Sequence, residues 1–371
     1  MRIRAIRERT VPVGAAMRNA AIAFDAMTAS ALVFETDRGR GYAFDSIGRY
    51  GKGGLLRERF IPRLMQAQPD ALVDRDGLID PAACARIAMA NEKPGGHGER
   101  PGAIGLIEAA AWDLRAKLQG LPLWRSIADY YRITDAAPRI AVYASCGHFR
   151  RDDDLRLELE RVRETGYRLV KIKLDGRDPM HDAARVEAAS TAGLQLAVDV
   201  NGMLPREIAP AWFAAMRAFD LAWIEEPASP LDYALLTEYA ALSAAPIATG
   251  ENLFSFDDAR NLLRYGGLRP ERDYLQFDPL LSYGIAEYVR MLECFGRWPR
   301  HRFLPHAGHL FAAHCVAGLG LGMAEAAPDP SLPYGGFWDS VRVDEGRVTI
   351  PDLPGVGYEA KANLHSILES I

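Results

Sequence analysis

The chain has 371 residues, of which 49% are hydrophobic and 25% charged, with a formal net charge of −5. Such a length implies two domains and at least one sizeable core, in an ordinary globular composition. The acidic balance offers no field for nucleic acid or an anionic membrane, and the most apolar stretch, 310–327, is broken by His314 and Glu325 and does not read as a membrane span.

The opening MRIRAIRERT is Arg-rich, as a transit peptide would be, but it lacks Ser, contains Glu8 and alternates apolar with charged residues. It reads as a first β-strand. Two glycine-rich loops follow. IGRYGKGG, 47–54, carries Arg49, Tyr50 and Lys52; NEKPGGHGER, 91–100, carries Lys93, His97 and Arg100. Mobile loops with cations make sense as a lid over an anionic ligand, because closure excludes water. Arg49 has the planar fork that grips a carboxylate bidentately. Cys84, Cys146, Cys294 and Cys315 lie far apart with no CxxC pair. They read as small packing residues, reduced thiols of a cytoplasmic protein.

From 139 onwards a spacing repeats. RIAVYASCG opens the series, and His148 behind it either lines a pocket or sits at the surface. RDDDLRLELERVRE reads as a helix opening, with aspartates at its positive end. RLVKIK then ends at Lys173, LQLAVD at Asp199, LAWIE at Glu225, APIATGE at Glu251, YLQFD at Asp278 and RFLPH at His306, at intervals of 26, 26, 26, 27 and 28 residues. Helically patterned stretches lie between these runs. A strand, a helix and two loops need roughly this length, so the chain is a run of βα units with a parallel sheet and right-handed crossovers. Closure into a (β/α)₈-type barrel is the economical arrangement, and its active site lies at the C-terminal strand ends. All six ionisable residues fall there. GLGLGMAE, from Gly318, has glycine density without a nucleotide-binding spacing and reads as a close-packed approach to the eighth strand.

On adjacent strands about 4.8 Å apart, Asp199, Glu225 and Glu251 repel one another unless a cation holds them. Three hard oxygen ligands without Cys or His suit Mg²⁺, with Mn²⁺ as a substitute. Lys171 and Lys173 share one face of their strand. The second ammonium, with Mg²⁺ nearby, is expected to draw the Lys173 pKa down from about 10.4, and a value near 7.5 needs about 4 kcal/mol. Lys173 is thus the expected base and Lys171 its tuning charge. Asp278 beside His306 would fix the imidazole tautomer and make His306 the acid or base across the metal. Such a set suits proton abstraction next to a carboxylate.

VKIKLD, LAVDVNG, WIEEP, ATGEN, LQFD and FLPH together resemble the enolase superfamily, in its mandelate racemase subgroup. The resemblance spans nearly the whole chain. It implies an α+β capping domain with lid loops over 1–135, a modified (β/α)₇β TIM-type barrel over 136–330, and a segment, 331–371, returning to the cap. It assigns metal binding to Asp199, Glu225 and Glu251 and proton transfer to Lys173 and the Asp278–His306 pair. A homo-oligomer is implied too, the family being commonly multimeric. Longer phrases, among them GRYGKGGLLRERFIPR, NEKPGGHGER and IPDLPGVGYE, resemble the D-tartrate dehydratases of that subgroup. By that resemblance Lys93 contacts substrate and Glu325 helps bind a substrate carboxylate. Asn19, His97, Asn201 and His309 complete the expected substrate-facing set. This chain has Asp45 and Ile47 where that pattern has Asn, and Ala307 where that pattern has Gly. The reading is a dehydratase of a small anionic hydroxy acid, against a racemase or epimerase using the same residues, or a non-catalytic metal- or anion-binding barrel.

Overall fold

The computed structural model describes residues 1–93, 98–150, 154–307 and 309–371. Strands β1 (Ile3–Pro12), β2 (Thr28–Thr36) and β3 (Arg40–Phe44) form an antiparallel sheet in that order. β1 alternates between covered and exposed residues as its sequence does, whereas β2 is covered on both faces. The helix Arg100–Gln119 lies between this sheet and the barrel and is buried without interruption from Pro101 to Ala116. Glycines let it approach both layers: a Cβ at Gly41 of β3 would collide with its Ala110 carbonyl, and one at its own Gly105 with the Leu280 carbonyl. Glu108 of the same helix accepts from the backbone amides of Ile285 and Ala286, at the start of a barrel helix.

The barrel strands are β4 (Arg139–Cys146), β5 (Leu169–Lys173), β6 (Gln195–Asp199), β7 (Leu221–Glu225), β8 (Ile247–Thr249), β9 (Tyr274–Leu275) and β10 (Met323–Ala326). They are parallel, and β10 pairs with β4. Between β9 and β10 the ring closes through Phe303 and Leu304. Leu304 N–H donates to Leu275 O at 2.8 Å, and Gly322 N–H to Phe303 O at 3.0 Å. Counting that short piece as a strand, seven βα units and a last strand give the expected (β/α)₇β ring. Asp154, Asp178, Asp232 and Ser255 cap the helices after β4, β5, β7 and β8, which is why the loops carry those residues.

Inside the ring, Tyr143, Leu169, Ala197, Trp223, Ala248 and Leu304 pack as an apolar layer. Side chains two apart share a face of a strand. The residues above this layer are therefore Lys171 and Lys173, Asp199, Glu225 and His306. Glu251 joins them after Gly250, whose φ of +120° re-aims the chain. After β10 a further strand, β11 (Arg347–Thr349), pairs antiparallel with β4, so the C-terminal segment adds to the barrel before reaching the cap. Its last helix, Ala362–Glu369, receives the Tyr42 hydroxyl on Glu369 at 2.6 Å. Among the described residues, no helix is long and apolar enough to cross a membrane.

His314 fastens three parts together. Its Nδ1 accepts from Trp124 N–H at 3.0 Å, so Nε2 carries the proton and donates to Val356 O at 3.1 Å. Burial lowers its pKa from 6.5 to about 4. A group whose folded pKa is depressed stabilises the protein fully above its unfolded pKa and loses that contribution as pH falls through the folded one. Tm is expected to fall between pH 6.5 and 4, and His314→Gln to flatten part of that fall; an unchanged pH profile in the variant would refute the assignment.

Candidate active site

Asp199, Glu225 and Glu251 are buried and offer ligand oxygens that all lie within 4.8 Å of one another. Each is held on a different strand end, so the spacing follows from the ladder and not from a flexible loop. Asn201, in a left-handed turn with φ of +48°, steadies Asp199 through its backbone N–H at 2.8 Å and its side-chain amide at 3.1 Å. Trp223 Nε1 and Gln276 Nε2 donate to Glu225 Oε2 at 3.0 and 2.6 Å. Asn252 donates to Glu251 at 3.3 Å and to the neighbouring Glu226 at 2.9 Å.

Two lysines answer this negative charge. Lys171, 1% exposed, pairs with Glu225, with Glu325 at 2.9 Å and, at 3.8 Å, with Asp199. Lys173 pairs with Asp199. Burial opposes the Lys173 charge and Lys171 repels it, but contact with Asp199 prevails and the pKa moves up. Lys171 alone therefore does not draw Lys173 down. The lysine repulsion is real, but it is smaller than an ion pair at hydrogen-bond distance. Burial, reinforced by the surrounding carboxylates against Lys171, pushes Glu225 up to about 7. Three buried carboxylates so close together, offering only oxygen ligands, fit Mg²⁺.

Across the triad, His306 Nδ1 lies 2.9 Å from Asp278 Oδ2 and its Nε2 3.6 Å from Glu251. Asp278 can only accept, so Nδ1 carries the proton. Asp278 Oδ1 is bonded by the Leu280 and Leu281 amides at 2.7 and 3.1 Å. Burial lowers the His306 pKa, but Glu251 and Asp278 outweigh it and push it to about 9. His306 is therefore a proton donor at neutral pH.

A cavity open to solvent lies above these groups. Lys171, Lys173, Asn201, Glu251, His306, His309 and Glu325 line its floor; Asn19, Ile47 and Arg49 reach it from the cap. His309 Nδ1 accepts from Ala312 N–H at 3.1 Å, which leaves Nε2–H as a donor, and burial lowers its pKa to about 4. Among the described residues, buried His309 Nε2, Glu325 Oε2 and Asn201 Oδ1 meet no hydrogen-bond partner. Lys171 contributes to holding Glu325 ionised against the effect of burial, which suits a substrate hydroxyl better than the carboxylate expected for it. His148 lines the cavity, edge-on to Phe24.

Other expected residues fall elsewhere. Tyr50 is 54% exposed and Lys93 is exposed; neither lines the cavity. His97 lies outside the described residues. Lys52 is no lid cation: it is buried, with both Asp45 oxygens at 2.7 Å, so the Asp that departs from the family pattern gains a partner within the cap. Sequence reading missed Met17, Ile22 and Phe24 of the cap and Tyr334 of the C-terminal segment, which also line the cavity. Tyr334 stands in the stretch PYGGF, which has no periodicity to say where it would fold.

The model for the enolase C-terminal domain-like family matches residues 154–364. The L-talarate/galactarate dehydratase of Salmonella typhimurium is 27% identical over 74% of this chain and 67% of its own length. The 3,6-anhydro-alpha-L-galactonate cycloisomerase of Streptomyces coelicolor is 28% identical over 71% and 70%. Among solved structures, a racemase from Streptomyces coelicolor A3(2) with bound magnesium superposes with a TM-score of 0.80 at 22% identity, covering 98% of this chain and 99% of that one. With its ring of strands, capping sheet and matched barrel sequence, the chain belongs to the enolase superfamily.

Proposed function

We propose that the chain is a Mg²⁺-dependent hydro-lyase of the mandelate racemase subgroup, dehydrating a small anionic hydroxy acid, with D-tartrate to oxaloacetate as the leading reaction. One observation carries this reading: Lys173 and His306 bracket the carboxylate triad, touching Asp199 on one side and approaching Glu251 at 3.6 Å on the other. The dehydratase relative supports the reaction class, and the lid phrases quoted above support tartrate.

In this reaction the neutral Lys173 amine takes the proton on the carbon next to the substrate carboxylate, and the bonding pair moves into the carboxylate as an enediolate. Asp199, Glu225 and Glu251 would hold a divalent cation, which would supply positive charge that disfavours the Lys173 ammonium and offsets the negative charge developing on the substrate carboxylate. The returning pair forms the carbon–carbon double bond as the β carbon–oxygen bond breaks. His306 gives its proton to the departing hydroxyl, which leaves as water, and the enol tautomerises to the keto acid. Its Nδ1–H bond to Asp278 and its raised pKa support the acid role. Asn19, Arg49, Asn201, His309 and Glu325 bind substrate in this reading. Four free cysteines support a reducing compartment.

Purified protein with Mg²⁺ and a panel of hydroxy acids in D₂O is expected to yield a keto acid. Deuterium at an inverted stereocentre without keto acid would establish an isomerase; neither change would leave only a binding role. Lys173→Ala is expected to cost at least about 10²-fold in kcat and to stop deuterium entry, with calorimetric Mg²⁺ affinity intact. Asp199→Asn is expected to lower that affinity by more than the roughly 10–100-fold cost of losing an outer partner. Ile47→Asn should raise kcat/KM for D-tartrate about fivefold, the worth of one hydrogen bond of about 1 kcal/mol; a lower value would place Ile47 outside the substrate wall.

A further inference from the structure

Ser46 follows β3 in the cap and is fully buried, yet its hydroxyl reaches into the barrel. Ser46 Oγ donates to Asp278 Oδ2 at 2.5 Å, the same oxygen that receives His306 Nδ1–H at 2.9 Å. The other Asp278 oxygen is taken by the Leu280 and Leu281 amides. The carboxylate is thus fixed by two backbone donors from its own loop, and the cap supplies the remaining one.

The seat of Ser46 is itself built. Its N–H donates to Asp45 Oδ1 at 2.9 Å, and Asp45 is gripped on both oxygens by Lys52. Lys52 N–H donates to Ser30 Oγ of β2 at 2.8 Å, and the helix Arg100–Gln119 covers its side chain so closely that a Cβ at Gly102 would strike it. Ile47, Gly48 and Arg49, which line the cavity, come next in the chain. The base of the lid and the orientation of the acid therefore share one hydroxyl.

We infer that Ser46 is a positioning residue for His306: through Asp278 it makes proton delivery to the leaving group depend on the cap being seated on the barrel. The inference rests on the roles proposed above for Lys173 and His306. Those roles divide the reaction into a base half, read by deuterium entry, and an acid half, read by keto acid. Ser46 touches only the second.

The test uses full-length, Mg²⁺-loaded protein with D-tartrate in D₂O, comparing Ser46→Ala, Ser46→Thr, Asp278→Asn and the Ser46→Ala/Asp278→Asn double variant. Ser46→Ala is expected to lose at least about tenfold in keto-acid formation, part of the 10²–10⁴-fold worth of a general acid, while deuterium entry and KM hold. Ser46→Thr should restore the rate, and the double variant should be no worse than Asp278→Asn alone. Parallel loss of both readouts, or loss of neither, overturns the inference. Independently of turnover, the imidazole N–H proton of His306, identified by its absence in His306→Gln, should shift in Ser46→Ala and return in Ser46→Thr. An unmoved signal overturns the role of Ser46, whereas wild-type protein that neither exchanges nor eliminates overturns the dehydratase reading instead.

Discussion

Three carboxylates gathered within 4.8 Å in a place that water hardly reaches form the constraint to which the rest of the site responds. Burying one uncompensated charge is costly, and burying several of one sign is tolerable only with partners close by. Lys171 and Lys173 supply that compensation from a single strand, and Asn201, Trp223, Gln276 and Asn252 take up the remaining lone pairs. The lysines thus neutralise the cluster in the free protein, and one of them is the base we propose. Whatever displaces Lys173 from Asp199 frees the amine for chemistry.

Barrel and cap divide the labour. Strand ends fix the ionisable groups to within the precision of a ladder, and the apolar layer beneath fixes which way they face. Among the described residues, the cap adds nothing to the carboxylate triad. It closes the cavity with Asn19, Ile47 and Arg49 and sends Ser46 to Asp278. Its hold on the barrel comes from small residues of the helix Arg100–Gln119 and from Glu108, which satisfies the first amides of a barrel helix.

The barrel was legible because its signal is periodic. An apolar run closing on an ionisable residue every 26 to 28 positions survives any local irregularity, and parity along each strand places the side chain inside the ring. What the sequence could not convey was contact across long separations. Ser46 and Asp278 are 232 residues apart, and Gln276 meets Glu225 from a strand that is not its neighbour in sequence. Lys52 misled for a similar reason: a cation in a glycine-rich loop looks like a ligand contact until its partner Asp45 is placed. Tyr50 and Lys93, read from the same loops, project to solvent.

The ladder that encloses the site is uneven. β5 and β6 pair through five consecutive residues, β8 and β9 through two, and the strand bearing His306 by a single bridge. Lysine and imidazole are therefore anchored by different means, one by main chain and the other by a web of side-chain bonds around Asp278. In evolutionary terms the imidazole flank is the cheaper one to rebuild. A change there disturbs fewer main-chain bonds of the ring than one on the amine flank.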